Sequence, residues 1–287
     1  MSPKQSDHIR LFIPGPVEVR AEILAAQAEW MIGHRSAAFA ELYARMQPKL
    51  QQTFFTANPV YVYTSSGTGI WESASRCAVR DDRKILHLTC GAFSERWAEV
   101  SAMNGKQVDV LAVDWGQANK PEQLAEALRQ NEYDAVAAVM NETSTGVRNP
   151  IEAYAEILAD YPETLFLVDV VSAYVGDKVP VDEWGIDVCL TSTQKAFALP
   201  PGMAFGAVSP DAGGGRKAPI PSPFTYTCPV AGTSPPKFRL RPGAWRNPGW
   251  RVSNSQASIR GCNAACLGSH AMTQTSVSQS CSCVFTT

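Results

Sequence analysis

The chain has 287 residues, of which 45% are hydrophobic and 18% are charged, and its formal net charge is −2. This length and this balance are typical of a globular protein with one large domain, or with one domain and part of a second. They exclude a small disulfide-stapled scaffold, and no apolar run reaches the roughly 18 residues that a membrane span needs. The first ten residues lack the order of a secretory signal, so we expect a cytoplasmic protein without a membrane anchor.

Helical and strand-like patterns alternate between residues 18 and 208. Apolar positions at helical spacing predict helices at 19–30, 37–50, 69–79, 94–104, 121–130 and 150–160. Runs rich in β-branched and aromatic residues predict strands at 60–63, 85–88, 107–113, 135–140, 164–169, 188–191 and 204–208. Pro121 and Pro150 suit the first turn of a helix, where a missing N–H costs nothing. The alternation predicts an α/β fold with a largely parallel sheet covered by helices on both faces.

The last quarter of the chain differs in composition from the rest. Residues 1–210 contain 17 Lys+Arg and 26 Asp+Glu, whereas residues 211–287 contain eight basic residues and one acid, Asp211. The second region is rich in Pro, Gly, Ser and Thr and has no sustained periodicity. We therefore predict a large domain with an N-terminal segment over 1–210, followed by a basic tail of weak pattern over 211–287.

Three explanations of the tail stay open. A shifted reading frame after about residue 210 would remove both the acids and the pattern, and a natural disordered or divergent extension would do the same. A nucleic-acid-binding arm is the least favoured, because the arginines of the tail are dispersed among prolines and glycines instead of clustering with aromatic residues. We expect no nucleic-acid partner.

Eight cysteines raise the question of disulfides or a metal site. Cys77, Cys90 and Cys189 lie far apart in segments with a core-like pattern, so we expect them to be reduced. No spacing is typical of a metal site, and none is predicted. The remaining five all fall in the tail, at Cys228, Cys262, Cys266, Cys281 and Cys283.

Two charged residues follow strand-like runs 26 residues apart. Asp169 ends the run Leu165-Phe166-Leu167-Val168-Asp169, and Lys195 ends a run that begins at Cys189. Ligands of open α/β sheets bind at the carboxyl ends of the strands, and a lysine there can form a Schiff base with an aldehyde such as pyridoxal 5′-phosphate. Asp169 would then pair with the protonated pyridine nitrogen. The structural alternatives are a turn-capping aspartate and a surface lysine.

A turn of small polar residues precedes the third predicted helix. Residues 64–69 read Thr-Ser-Ser-Gly-Thr-Gly, and such a turn lets backbone N–H groups and hydroxyls approach a phosphate at a helix N-terminus. The turn lacks the lysine and the spacing of a P-loop, which argues against a nucleotide triphosphatase. An ordinary helix cap is the alternative interpretation.

Seven stretches together resemble the class V, fold-type I pyridoxal-phosphate aminotransferases, most closely their alanine–glyoxylate and serine–glyoxylate (serine–pyruvate) branch. The stretches are PGP at 14–16, GHRS at 33–36, SSGT at 65–68, GAFSERW at 91–97, NETSTGV at 141–147, VDVVS at 168–172, and TQK at 193–195 followed by PPG at 200–202. Their order and spacing are specific, and the resemblance covers residues 11–208. It implies the fold-type I large domain and a homodimer.

The resemblance implies a role for each matching position. Ser66, Gly67, Thr68 and Gln194 would bind the cofactor phosphate, and Lys195 would carry the cofactor and transfer protons as the catalytic residue. The pyridine ring would be held by four others, with Phe93 and Val171 on its two faces, Thr143 near its phenolic oxygen and Asp169 at its nitrogen. The substrate side or the subunit boundary would be lined by Gly15 and His34.

The chain departs from the family pattern after the lysine. The segment that reaches the partner's cofactor and the C-terminal small domain with its substrate-binding arginine are not recognisable here. We expect an aminotransferase that moves an amino group from alanine or serine to glyoxylate or pyruvate, with the small domain absent or altered. Alternatives are a cysteine desulfurase-like enzyme and a catalytically impaired product that only binds the cofactor. A desulfurase would have histidines where Gln194 and Phe93 stand.

Overall fold

The computed structural model describes residues 8–212. The helices are α1 (Ala21–Ala26), α2 (Ala37–Phe54), α3 (Gly67–Ala78), α4 (Ala92–Met103), α5 (Pro121–Gln130) and α6 (Ile151–Leu158). The strands are β1 (Val60–Tyr63), β2 (Lys84–Thr89), β3 (Gln107–Ala112), β4 (Ala135–Val139), β5 (Asn141–Glu142), β6 (Val147–Arg148), β7 (Leu165–Asp169), β8 (Val188–Ser192) and β9 (Ala204–Val208). Prediction and structure therefore agree on the order of these helices and on the longer strands.

Seven strands form one sheet in the order β1-β9-β8-β7-β4-β2-β3. β8, β7, β4, β2 and β3 are parallel to one another, and β9 is antiparallel to both of its neighbours. The prediction of a mostly parallel sheet with helices, as in the fold-type I enzymes, is confirmed. The carboxyl ends of β1, β4, β7 and β8 therefore lie at the same edge of the sheet.

Alternating residues of the strands enter two hydrophobic clusters, one on each face of the sheet. On β4, Ala135 and Val139 pack with side chains of α3 and α4, whereas Val136 packs with side chains of α2, α5 and α6. All five residues of β4, of β7 and of β8 are buried. This two-sided burial explains why these strands are nearly continuous apolar runs in the sequence.

Several element boundaries differ from the predicted ones. α1 is shorter than the predicted 19–30 and buries none of its residues, so its apolar spacing reflects no contact with the sheet. α2 continues past residue 50, despite Pro48, because the buried Phe54 packs in the core. Pro150 is the N-cap of α6 and not its first residue. The β5–β6 hairpin was not predicted, because two-residue strands show no periodicity.

Cys77, Cys90 and Cys189 are buried free thiols, as predicted. Within residues 8–212, no helix combines the length and the hydropathy needed to cross a bilayer. The predictions for the tail at 211–287, including its five cysteines, fall almost entirely outside the described residues.

Candidate active site

A cavity opens at the sheet edge where β1, β4, β7 and β8 end. Its lining includes all nine residues that the sequence predicts for the cofactor: Ser66, Gly67, Thr68, Phe93, Thr143, Asp169, Val171, Gln194 and Lys195. The other lining residues are Trp71, Val139, Asn141, Ser172 and Ser192. Because the matching segments are separated by up to 129 positions in the sequence, from 66 to 195, only the parallel sheet brings them together.

The N-terminus of α3 forms one end of the cavity and offers donors for an anion. Ser66 is the N-cap residue of α3, and its side chain makes no capping hydrogen bond. Ser192 is almost fully buried at the end of β8, and its Oγ has no hydrogen-bond partner in the described part of the chain. A helix N-terminus with hydroxyl groups beside it suits a phosphate.

Asp169 lies at the end of β7 and is buried, with 3% of its surface exposed. Its Oδ1 accepts a hydrogen bond from the Val171 N–H at 2.7 Å, and its Oδ2 accepts one from the Trp71 indole N–H at 2.6 Å. Burial raises the pKa of this carboxyl to about 6, although both donors and the positive charge of Lys195 act in the opposite direction. A buried carboxylate of this kind gains from a cationic partner in the cavity.

Lys195 follows β8 by three residues and is half-buried. Its aliphatic stem packs against the backbone of Gly15: a Cβ on that glycine would overlap Lys195 Cδ and lie 2.9 Å from Nζ. The Val17 N–H also donates to the Gln194 carbonyl at 3.0 Å. The N-terminal segment therefore packs against the lysine. Gly15 is not among the lining residues of the cavity, and its predicted place on the substrate side or at the subunit boundary stays a prediction.

The faces of the cavity are formed by apolar side chains and short polar contacts. Phe93 lies in the first turn of α4, and Val171 lies two residues after Asp169. The Thr143 and Ser172 hydroxyls are 2.6 Å apart, and Asn141 Oδ1 is buried without a hydrogen-bond partner among residues 8–212. A flat aromatic ligand with polar substituents would fit between these groups.

His34 is not brought to this cavity. The residue is exposed in the segment before α2 and is absent from the lining of the cavity. Its predicted position on the substrate side of the site or at a subunit boundary therefore stays a prediction.

Glu142 does not line the cavity but holds residues beside it, and the sequence did not single it out. The side chain is fully buried, and its Oε2 accepts hydrogen bonds from the Ser94 N–H and hydroxyl, both at 2.9 Å. Its Oε1 accepts from the Ser144 hydroxyl at 2.6 Å and from the Phe93 N–H at 3.3 Å. A Cβ on Gly91 would lie 2.6 Å from Glu142 Cγ. The carboxylate thus fixes the first turn of α4, which carries Phe93. An acid two residues after the apolar run that ends at Met140 was the available signal.

A family model described as aminotransferase class-V matches residues 21–215, which is more than half of the chain. The chain belongs to the class-V aminotransferase family. This assignment agrees with the resemblance of the sequence motifs and with the fold.

Two curated relatives and one solved structure illustrate the similarity. An uncharacterised aminotransferase of Methanocaldococcus jannaschii is 41% identical over 201 residues, covering 69% of this chain and 52% of the relative. The serine–glyoxylate aminotransferase of Arabidopsis thaliana is 35% identical over 207 residues, with 70% and 52% covered. The alanine–glyoxylate aminotransferase of a Nostoc species has a TM-score of 0.69 at 29% identity, with 74% and 56% covered. The chain spans about half the length of the curated relatives it matches.

Proposed function

We propose that this class-V aminotransferase chain binds pyridoxal 5′-phosphate and transfers an amino group from a small amino acid to a small 2-oxo acid. The observation that carries the proposal is that Lys195, Asp169 and the N-terminus of α3 line one cavity. An amine, a buried carboxylate and an anion site are the three groups that this cofactor requires.

The hydrogen-bonding and charged groups of the cavity match the polar groups of the cofactor in chemical type. Ser66, Thr68 and Gln194 offer hydroxyl and amide donors to the phosphate, and the unpartnered Ser192 Oγ offers one more. Asp169 keeps free lone pairs beyond its two hydrogen bonds and can accept one from a protonated ring nitrogen. When bound, pyridoxal phosphate supplies an aldehyde that reacts with primary amines and a cationic ring that withdraws electrons from the substrate Cα.

Lys195 is proposed as the catalytic residue. Its Nζ would hold the cofactor and, as a free amine, would move a proton between the substrate Cα and the C4′ carbon. Gly15 limits the positions of the lysine stem, because its missing Cβ leaves just enough room for Cδ and Nζ. Phe93 and Val171 keep water from the two faces of the ring, and Asp169 holds the proton on the ring nitrogen.

The substrates follow from the relatives and are part of the proposal. The Arabidopsis relative is named for serine and glyoxylate, and the Nostoc protein for alanine and glyoxylate. We propose alanine or serine as donor and glyoxylate or pyruvate as acceptor for this chain. A homodimer is proposed from the sequence resemblance, and a cytoplasmic location is also proposed. No arginine is assigned to the substrate carboxylate.

We also propose that residues 1–210 form the cofactor-binding large domain. The family match, which ends at residue 215, supports this boundary. Sequencing the coding DNA across codon 210 and translating the other two frames tests the frameshift origin of residues 211–287. Family-like sequence in another frame would support that origin, and its absence from both frames would remove it.

Cofactor binding without turnover is the second candidate, favoured by the half-length match to the relatives. A desulfurase is less well supported, because Gln194 and Phe93 occupy the positions where that group has histidines. Single-turnover release of pyruvate from alanine separates transamination from cofactor binding alone.

The experiment is a titration of the full chain with pyridoxal phosphate, followed by visible absorbance. We expect an absorbance band at a longer wavelength than that of the free cofactor. The band should be lost in Lys195→Ala and retained in Lys49→Ala, which removes an exposed lysine of α2. Adding alanine should then release pyruvate in an amount equal to the bound cofactor. A wild-type protein without the band would contradict the proposal, and a band without pyruvate would favour the second candidate.

A further inference from the structure

The hydrogen bond between Trp71 and Asp169 joins the candidate active site to the layer of helices above it. Trp71 lies in the second turn of α3 and has 4% of its surface exposed. Its indole N–H donates to Asp169 Oδ2 at 2.6 Å, and the residue also lines the cavity. Trp71 thus provides the side-chain donor to the carboxylate, while the Val171 backbone N–H provides the other donor.

A buried network fixes the position of Trp71. The indole stacks on Trp97 of α4, with ring centroids 5.8 Å apart and planes at 13°. The Trp71 carbonyl accepts from the Ser75 hydroxyl at 2.7 Å, and the Ser75 hydroxyl lies 2.7 Å from that of Ser101. The Ser101 hydroxyl is in turn 2.9 Å from His87 Nε2 on β2. Both the indole ring and the backbone of Trp71 are therefore held by α4 and β2.

We propose that Trp71 is a positioning residue for the proposed transamination, which orients Asp169 and keeps it ionised so that it can hold the protonated ring nitrogen of the cofactor. The inference rests on the proposed function. A hydrogen bond to a buried charged group favours the ionised form, and a stacked indole cannot turn away from its acceptor. The family match and the sequence motifs assign no role to this side chain.

The competing explanation is that Trp71 merely fills space beneath the cavity. Trp97 provides a matched control, because it belongs to the same stack and is equally buried, yet its Nε1 is a buried atom without a hydrogen-bond partner in the described region. Replacing either tryptophan by phenylalanine removes the same atoms from the same stack. Only Trp71→Phe also removes a donor from Asp169.

The test compares pyridoxal phosphate affinity in the wild type, Trp71→Phe and Trp97→Phe. Without the indole donor, part of Asp169 takes up a proton in the free protein, and the ring can bind only after that proton leaves. We expect Trp71→Phe to weaken binding by about tenfold near pH 6.5, the loss typical of one hydrogen bond to a charged group. Near pH 9, where Asp169 is ionised in both proteins, the difference should nearly vanish.

Other groups around Asp169 are the same in all three proteins. Glu142 raises the pKa of Asp169 and Lys195 lowers it, whereas Asp169 itself raises the pKa of the neighbouring Cys189 thiol. Because Trp71 lines the cavity and Trp97 does not, the pH dependence of the loss is what isolates the indole donor. A cofactor analogue with carbon in place of the ring nitrogen gives a second control, since Trp71→Phe should bind it at least as tightly as the wild type does.

Equal losses in Trp71→Phe and Trp97→Phe would overturn the proposal, as would a loss that is the same at both pH values or that persists with the analogue. If Trp71→Phe does not fold, β-(3-benzothienyl)alanine at this position removes the N–H and keeps the bicyclic shape. Carbon-13 NMR of Asp169 in the cofactor-free protein decides the matter separately from the proposed function. Its titration midpoint should be higher in Trp71→Phe than in the wild type and in Trp97→Phe, and an unchanged midpoint would refute the inference.

Discussion

Replacing Glu142 by glutamine should destabilise the protein, although the two side chains have nearly the same shape. The carboxylate oxygens accept hydrogen bonds from the Ser94 N–H and hydroxyl on one side and from the Ser144 hydroxyl on the other. An amide has one oxygen and one NH₂ group, so on one side the surrounding N–H and O–H donors would face the NH₂ group, which is itself a donor. The serine hydroxyls can rotate, but a backbone N–H cannot, and each carboxylate oxygen accepts from one: Oε2 from the Ser94 N–H and Oε1 from the Phe93 N–H. Either orientation of the amide therefore leaves a backbone N–H facing an NH₂ group.

The magnitude follows from two contributions. An unsatisfied buried N–H costs about 1–3 kcal/mol, and the loss of a negative charge at a helix N-terminus costs about 0.3–1 kcal/mol. We therefore expect Glu142→Gln to lower the free energy of unfolding by about 2–3 kcal/mol and the Tm by about 5–10 °C. Urea and thermal denaturation of the full chain without cofactor measure both quantities.

Glu122→Gln is the matched control for this experiment. Glu122 also lies in the first turn of a helix, α5, but its side chain is exposed. Its replacement should cost at most about 1 kcal/mol, because only the interaction with the helix dipole is lost. Equal stability of Glu142→Gln and the wild type would refute the assignment of Glu142 as the group that fixes the start of α4.

Three further predictions concern the cavity and the core beside it. Burial raises the pKa of Asp169 from 3.8 to about 6 in the cofactor-free protein. Its contribution of about 3 kcal/mol to the free energy of unfolding is therefore present below pH 4 and is lost as the pH rises through 6. In urea denaturation, the difference in this free energy between the wild type and Asp169→Asn should fall over the same range, and a constant difference would contradict the prediction. Gly15→Ala should reduce the visible cofactor band at least about tenfold, because the added Cβ would overlap Lys195. Gly116→Ala is the control and should retain the band, because Gly116 has an unusual φ of +91° but open space around it. Bands of equal height in the two variants would argue against the packing of Gly15 on the lysine. Burial lowers the pKa of His87 from 6.5 to about 3, so its stabilising contribution should fall as the pH drops from 6.5 towards 3. In His87→Phe, the free energy of unfolding should depend less on pH in that range. The same pH dependence in the variant and the wild type would exclude a buried neutral His87.

The sequence predicts the sheet because its central strands are buried on both faces. β4, β7 and β8 consist entirely of buried residues, which gives continuous apolar runs that stand out between helical segments. Exposed elements give no such signal. The apolar residues of α1 contact no core, and its predicted length was therefore wrong.

The candidate site residues that could be predicted are those whose chemistry is visible within a single segment of the sequence. A lysine and an aspartate at strand ends are visible in the sequence, and so is a Ser-Gly turn before a helix. Glu142 and Trp71 were missed because each acts through a hydrogen bond to a residue that is distant in the sequence. Glu142 accepts from residue 94, and Trp71 donates to residue 169. Only the packing of α3 and α4 on the sheet makes those contacts.

The central proposal is that the amine of Lys195 binds pyridoxal phosphate inside the cavity that Lys195 and Asp169 both line. The most direct measurement is borohydride reduction of the cofactor-loaded full chain, followed by proteolysis and mass spectrometry of the labelled peptide. The account predicts one labelled site, Lys195, and a much weaker label when Asp169 is replaced by alanine. A label on other lysines, or labelling of Lys195 that is indifferent to Asp169, would contradict it.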